Sequence, residues 1–160
     1  MLPEITLMLA MSASDMFGQM LKLEGEWEGS YEWTDGRTGT GDLRVRYLVT
    51  GAGSALIEDL LNSDGVATMS TVYHVDGTDL RMTHYCAARN QPRLKSSFFS
   101  DAPPAAEFQL VDVTGMTQYG SVQAFRIEII DANHLNLRFT FAGNPKTSGV
   151  ENIRLTRVTT

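Results

Sequence analysis

From Gly25 onward the chain alternates apolar and polar side chains with a period of two. In "GEWEGSYEW", Trp27, Gly29, Tyr31 and Trp33 fall on one side and Glu26, Glu28, Ser30 and Glu32 on the other, the pattern of a half-buried strand. The segments "DLRVRYLV", "QAFRIEII", "HLNLRFTF" and "VENIRLTRV" repeat it, with Leu, Val, Ile and Phe opposite Arg, Glu and Asn. "TMSTVYHV" and "LRMTHYCA" flank "DGTD", a hairpin turn signal, and "SDG", "IDANH" and "AGNPKTSG" punctuate the other runs. Ahead of the strands, "SASDMFGQMLKL" has helical spacing: Ser12 or Ser14 can cap it, Asp15 suits its first turn, and Phe17, Met20 and Leu21 share a face.

About ten strand candidates in a meander leave edges to protect, and closure removes them. The pattern therefore predicts an all-β fold, an antiparallel up-and-down β-barrel of about 8–10 strands with a short N-terminal helix across one mouth. A Greek-key sandwich is the alternative that periodicity alone leaves open. No repeat or linker divides the chain, so residues 13–160 read as one barrel domain and residues 1–12 as a flexible N-terminal segment.

Charge and composition narrow the partners. The net charge of −6 disfavours nucleic acid and anionic membrane surfaces, which demand a basic face. No run reaches the roughly 18 apolar residues of a membrane span. The single cysteine forms no internal disulfide, and the start "MLPEITLMLAMSASD" lacks a basic region and carries Glu4. A cytoplasmic location is expected, with a clipped or missing signal peptide as the alternative. A homodimer remains open.

"LKLEGEWEG" runs a short helix into Gly25-Glu26-Trp27, and this resembles the Gly-x-Trp signature that opens the lipocalins and the wider calycin superfamily. That resemblance implies a small ligand-binding barrel whose end is closed by a basic residue of the last strand lying across the tryptophan. Arg157 in "RLTRV" stands in that place. "STVYHVDGTDLRMTHYCAARNQPRLKSS" is in addition similar to a stretch of uncharacterised bacterial lipocalin-like proteins. "GMTQYG", between Gly115 and Gly120, departs from the His-rich turn that this second resemblance implies.

The densest chemistry lies in "MTHYCAARNQPR". On a strand, Leu80, Met82, His84 and Cys86 share a face with Met69, Thr71 and Tyr73 across the hairpin, and Tyr85 faces away. His84 and Cys86 then lie about 7 Å apart at Cβ, too far for a ready nucleophile–base pair. Cys86 reads as a buried structural thiol and His84 as either a core anchor bonded to Thr71 or Tyr73 or a ligand contact. Asn90 to Arg93 read as the turn after that strand, with Arg93 at the rim as a possible partner for a ligand carboxylate. Glu58 and Asp59 are adjacent and so face opposite sides, with at most one inward. His74 and His134 look peripheral, and no HxH, HExxH or CxxC spacing indicates a metal. A haem site like that of nitrobindin-like barrels would need a proximal histidine at a mouth, where His84 or His134 is conceivable; no cofactor is expected. "GAGSAL" reads as a hairpin turn, not a dinucleotide loop.

The leading function is binding of a small, largely apolar molecule inside the barrel, its access gated by the helix. The expected wall is Trp27, Tyr31, Trp33, Tyr47, Tyr73, Met82 and His84, with His84 or Arg93 orienting the ligand. The alternatives are a barrel enzyme of isomerase, cyclase or hydrolase type, with His84 as general acid or base and Tyr73 or Cys86 assisting, and a fully packed accessory module.

Overall fold

Ser12 is the residue that starts the helix. Its hydroxyl accepts from the Asp15 N–H (3.0 Å) while the Asp15 carboxylate accepts from the Ser12 N–H (3.2 Å), a reciprocal cap over α1 (Ala13–Leu21). The computed structural model describes residues 10–160; residues 1–9, most of the segment expected to be flexible, lie outside the described residues. Ala13, Met16, Phe17 and Met20 are buried. The helix packs against one end of the strands that follow.

Those strands are β1 (Gly25–Thr34), β2 (Gly39–Thr50), β3 (Ala55–Leu61), β4 (Ala67–Asp76), β5 (Asp79–Tyr85), β6 (Asn90–Ser96), β7 (Phe99–Asp101), β8 (Pro104–Gly115), β9 (Ser121–Asp131), β10 (His134–Ala142) and β11 (Gly149–Arg157). Each pairs antiparallel with its sequence neighbours, except that β6 skips β7 to pair β8, and β1 pairs β11. Ten strands thus close into a barrel, and the three-residue β7 lies along the start of β8 as a flap. The closed up-and-down order excludes the sandwich.

The barrel has two unlike ends. At the helix end, the Trp27 indole N–H donates to the Leu23 carbonyl (2.8 Å), and the Arg157 guanidinium lies 4.5 Å over the Trp27 ring. Arg157 also donates to the carbonyls of Lys22 (2.7 Å), Glu24 (2.9 Å) and Ala132 (2.9 Å), tying the helix exit and the β9–β10 turn to the last strand. Above this seal the interior is filled by Tyr73, Phe108, Phe125 and Phe139, whose neighbouring ring centroids lie 4.5–6.1 Å apart. The opposite end carries the loops after β1, β3, β5, β8 and β10 and is where the barrel opens.

One expectation needs correction. The chain turns after β5 at Cys86–Arg89, not at Asn90–Arg93: the Cys86 N–H donates to the Asn90 carbonyl (3.0 Å), and Arg89 takes a left-handed φ of 63°. Asn90 to Arg93 therefore open β6, and the Asn90 amide donates to the Met116 and Gly120 carbonyls (2.7 and 2.9 Å) across the mouth loops. Gly29, on the Trp27 face of β1, permits close strand approach. A Cβ there would stand 1.8 Å from the Arg154 carbonyl oxygen.

Candidate functional site

Strand register sets four inward side chains in one row across the sheet: Tyr47 of β2 opposes Glu58 of β3, Glu58 opposes Thr71 of β4, and Thr71 opposes His84 of β5. Glu58 is fully buried. The Tyr47 and Tyr73 hydroxyls both donate to its Oε2, at 2.7 and 2.9 Å, while Oε1 is buried without a hydrogen-bond partner. Burial raises the Glu58 pKa from 4.5 to about 7, although the hydroxyls of Tyr47, Tyr73 and Thr71 pull it downward. Burial next to this carboxyl also drives both tyrosine pKa values well up, so they remain donors.

At the end of the row, Thr71 Oγ1 and His84 Nδ1 are 2.8 Å apart. Burial lowers the His84 pKa from 6.5 to about 4, so the imidazole is neutral at neutral pH. The ring also packs on Phe139, with centroids 5.4 Å apart.

Past this row, toward the open end, lies a cavity of about 290 Å³. Leu60, Met69, Val122, Phe139 and Phe141 supply its apolar wall, Tyr31 and Trp33 one side of its rim. Its polar groups are few: His84, Cys86, Glu151 and Arg37, the last stacked 4.0 Å over the Trp33 ring. Burial raises the Glu151 pKa, with Arg37 pulling it back. A wider groove of about 470 Å³ outside the barrel, between Lys95 and Arg126, is open to solvent, and its Arg126 is already paired with Glu107.

The residues singled out from sequence separate into three places. Tyr31, Trp33, His84 and Cys86 line the cavity. Trp27, Tyr47, Tyr73 and Met82 are buried nearer the helix end, in the packed half. Arg93 corrects its expected role: Pro92 and Leu94 point inward, which turns Arg93 outward, where it forms a bidentate pair with Asp112 on β8. The helix is likewise no gate to this cavity, since it closes the far end and contributes no wall residue.

Cys86 Sγ accepts from the Ala88 N–H (3.5 Å), and burial pushes the thiol pKa up, which keeps it protonated. His74 is exposed, and His134 pairs with Asp131 in the β9–β10 turn (2.8 Å). Among the described residues no three His, Cys, Asp or Glu side chains converge as a metal cluster, and no helix is long and apolar enough to cross a membrane. The sequence left the inward acid undecided between Glu58 and Asp59, and Glu58 is the centre of the polar row. Its signal was the β2–β3 hairpin register, which places it opposite the inward Tyr47.

No protein-family model and no curated protein matches the chain. Its fold is similar to that of a protein of unknown function of the DUF3598 family from Nostoc punctiforme, with a TM-score of 0.59 and 12% identity, covering 88% of this chain and 49% of that one. The chain thus spans about half the length of the Nostoc protein. It is also similar to Rv2717c from M. tuberculosis, with a TM-score of 0.60 and 15% identity, covering 90% of this chain and 98% of that one. At these identities the likeness is one of fold.

Proposed function

We propose that the protein, a lipocalin-like barrel, reversibly binds a small, largely apolar molecule in the cavity at its open end. The observation that carries this reading is the cavity itself: apolar walls, one aromatic rim and a neutral histidine at its floor. At about 30 Å³ per water the space equals about ten waters, which suits a ligand of roughly ten to fifteen non-hydrogen atoms. Burying on the order of 200 Å² of apolar ligand surface contributes about 5 kcal/mol before association costs, so affinities no tighter than the millimolar to submillimolar range are expected from apolar burial. An enzyme using His84 is supported less. An imidazole titrating near 4 is a weak base, and burial holds Cys86 as a thiol.

Native mass spectrometry of freshly purified protein tests for a resident molecule. Titration with small aromatic and alicyclic compounds, followed by Trp33 fluorescence, tests binding directly, since Trp27 is sealed at the far end. The expected result is saturable quenching with a rise in melting temperature, both abolished by Met69→Trp, which fills the cavity from a half-buried position. Apo protein that no such compound quenches or stabilises would sink the reading.

A further inference from the structure

We propose that Glu58, acting through Thr71, sets which ring nitrogen of His84 carries the proton, and so whether the cavity offers its occupant a hydrogen-bond donor or an acceptor. The inference rests on the binding reading for its ligand, but the relay itself stands without it. Its basis is geometric. Glu58, Thr71 and His84 are successive cross-strand partners in one row, and the Thr71 hydroxyl is already engaged with His84 Nδ1. The other tooth of the row is open: both tyrosines share Glu58 Oε2, and Oε1 is buried with no partner. A bare carboxyl oxygen in a closed core is costly unless it carries a proton or receives one, and Thr71 is the hydroxyl across from it.

A threonine hydroxyl has one proton to give. With Glu58 protonated on Oε1, which has no partner in the structure, its O–H would donate to Thr71 Oγ1, Thr71 to His84 Nδ1, and the imidazole would carry its proton on Nε2. That nitrogen has no protein partner among the described residues, and His84 lines the cavity, so the occupant meets a donor. On ionisation each proton moves one place along the row. The Glu58 proton passes to Thr71, the Thr71 proton to His84 Nδ1, and the Nε2 proton leaves to cavity water. One proton is released, Thr71 now donates to the carboxylate, and bare Nε2 is an acceptor.

The groups facing Glu58 are Tyr47 from β2, Tyr73 from β4 and Asp59 on its own strand, the last being paired with Arg46 on the outside. Those sharing the cavity with His84 are Tyr31 from β1, Arg37 from the β1–β2 loop, Glu151 from β11 and Cys86. Burial places the Glu58 titration at about 7 and keeps His84 neutral down to about 4, so the exchange of tautomers falls in a range where the imidazole has no net charge.

Nitrogen-15 NMR of the His84 ring reads the tautomer directly, on the wild-type chain and without any ligand. From about pH 5 to about pH 9 the proton is expected to move from Nε2 to Nδ1, in step with the carbon-13 shift of the Glu58 carboxyl. Glu58→Gln, whose amide N–H mimics the protonated acid toward Thr71, is expected to hold the Nε2–H form throughout, and Thr71→Val to uncouple the ring from Glu58. One tautomer across the whole range in the wild type, or a Glu58→Gln ring that titrates as before, overturns the proposal. Matched probes then read the consequence. Acetophenone, an acceptor only, should bind about fivefold more tightly below the Glu58 transition than above it, and indole, a donor only, about fivefold more weakly. Tautomers that follow Glu58 while neither probe binds would keep the relay and overturn the cavity reading; probes that bind with no pH preference would overturn the link from relay to ligand.

Discussion

Glu58 and His84 are both displaced by burial, in opposite directions, and their effects on stability should nearly cancel in the native chain. Folded Glu58 holds its proton up to about pH 7, whereas the unfolded carboxyl loses it near 4.5. Between those values the folded state binds more protons, so this contribution is complete below 4.5 and is lost as pH rises through 7. At about 1.4 kcal/mol per pH unit it amounts to about 3 kcal/mol. His84 has the other sign. The folded ring stays neutral to about 4 while the unfolded ring is protonated below 6.5, so its contribution is complete above 6.5 and is lost as pH falls through 4, again about 3 kcal/mol. From 4.5 to 6.5 the two slopes oppose, and single substitutions should unmask them. The stability of Glu58→Gln minus that of the wild type should rise by about 3 kcal/mol between pH 4.5 and 7.5. His84→Gln minus wild type should fall by a similar amount between pH 4 and 6.5. Taking differences removes other titrating groups such as Asp112 and Glu151. Urea unfolding followed by tryptophan fluorescence is the assay, with an m-value of about 2 kcal/mol per molar turning 3 kcal/mol into a midpoint shift of about 1.5 M. A Glu58→Gln difference that stays flat would mean that the carboxyl is solvated and that burial does not raise its pKa.

Three further outcomes follow from single contacts. Ser12→Ala removes the reciprocal cap of α1 and should cost about 1 kcal/mol, seen as a drop of about 3 °C in melting temperature. Gly29→Ala puts a methyl into the Arg154 carbonyl and should cost about 3 kcal/mol, measured as the change in urea midpoint. Arg157→Met keeps volume near Trp27 but strips hydrogen bonds from three carbonyls, and should cost about 2 kcal/mol while leaving the quenching of Trp33 by cavity compounds unchanged.

The barrel was legible because half-buried antiparallel strands print their burial as a period of two. Phe125, Ile127 and Ile129, and Leu135, Leu137 and Phe139, are buried on the side that alternation assigns them. The register was not legible, because a period of two gives the faces of a strand without saying which is inner. In "ALIEDLL" both faces are apolar, Leu56 and Leu60 on one and Ile57 and Leu61 on the other, so nothing local distinguished Glu58 from Asp59. Only the pairing with Tyr47 does so. The turn after β5 failed for a different reason. Its left-handed residue is Arg89 in "CAAR", with no Gly or Asn at that place, and the visible turn residues lie just beyond it. Moving the turn by four residues carried Arg93 from the rim to the outside face.

The two ends of β1 show why stability and ligand space need not compete in this fold. Trp27 and Trp33 share a face six residues apart, which at about 3.3 Å per residue sets them roughly 20 Å apart along the strand. Trp27 is sealed by Leu23, Arg157 and the buried methionines of α1, so the covalent start and finish of the barrel are tied together at the helix end. Phe108, Phe125 and Tyr73 fill the interior next to it. Residues supporting the fold are thereby concentrated on the helix side of the Glu58 row, and on the far side the buried Leu60, Val122 and Phe139 and the half-buried Tyr31, Trp33, Met69 and Phe141 surround open space. Contacts separated by that distance and sharing no partner act almost additively. The Glu58 row belongs to both halves: its tyrosines are core and its histidine is cavity floor. On the proposed reading, a change in charge at Glu58 is the route by which the packed half of this barrel would alter what the open half binds.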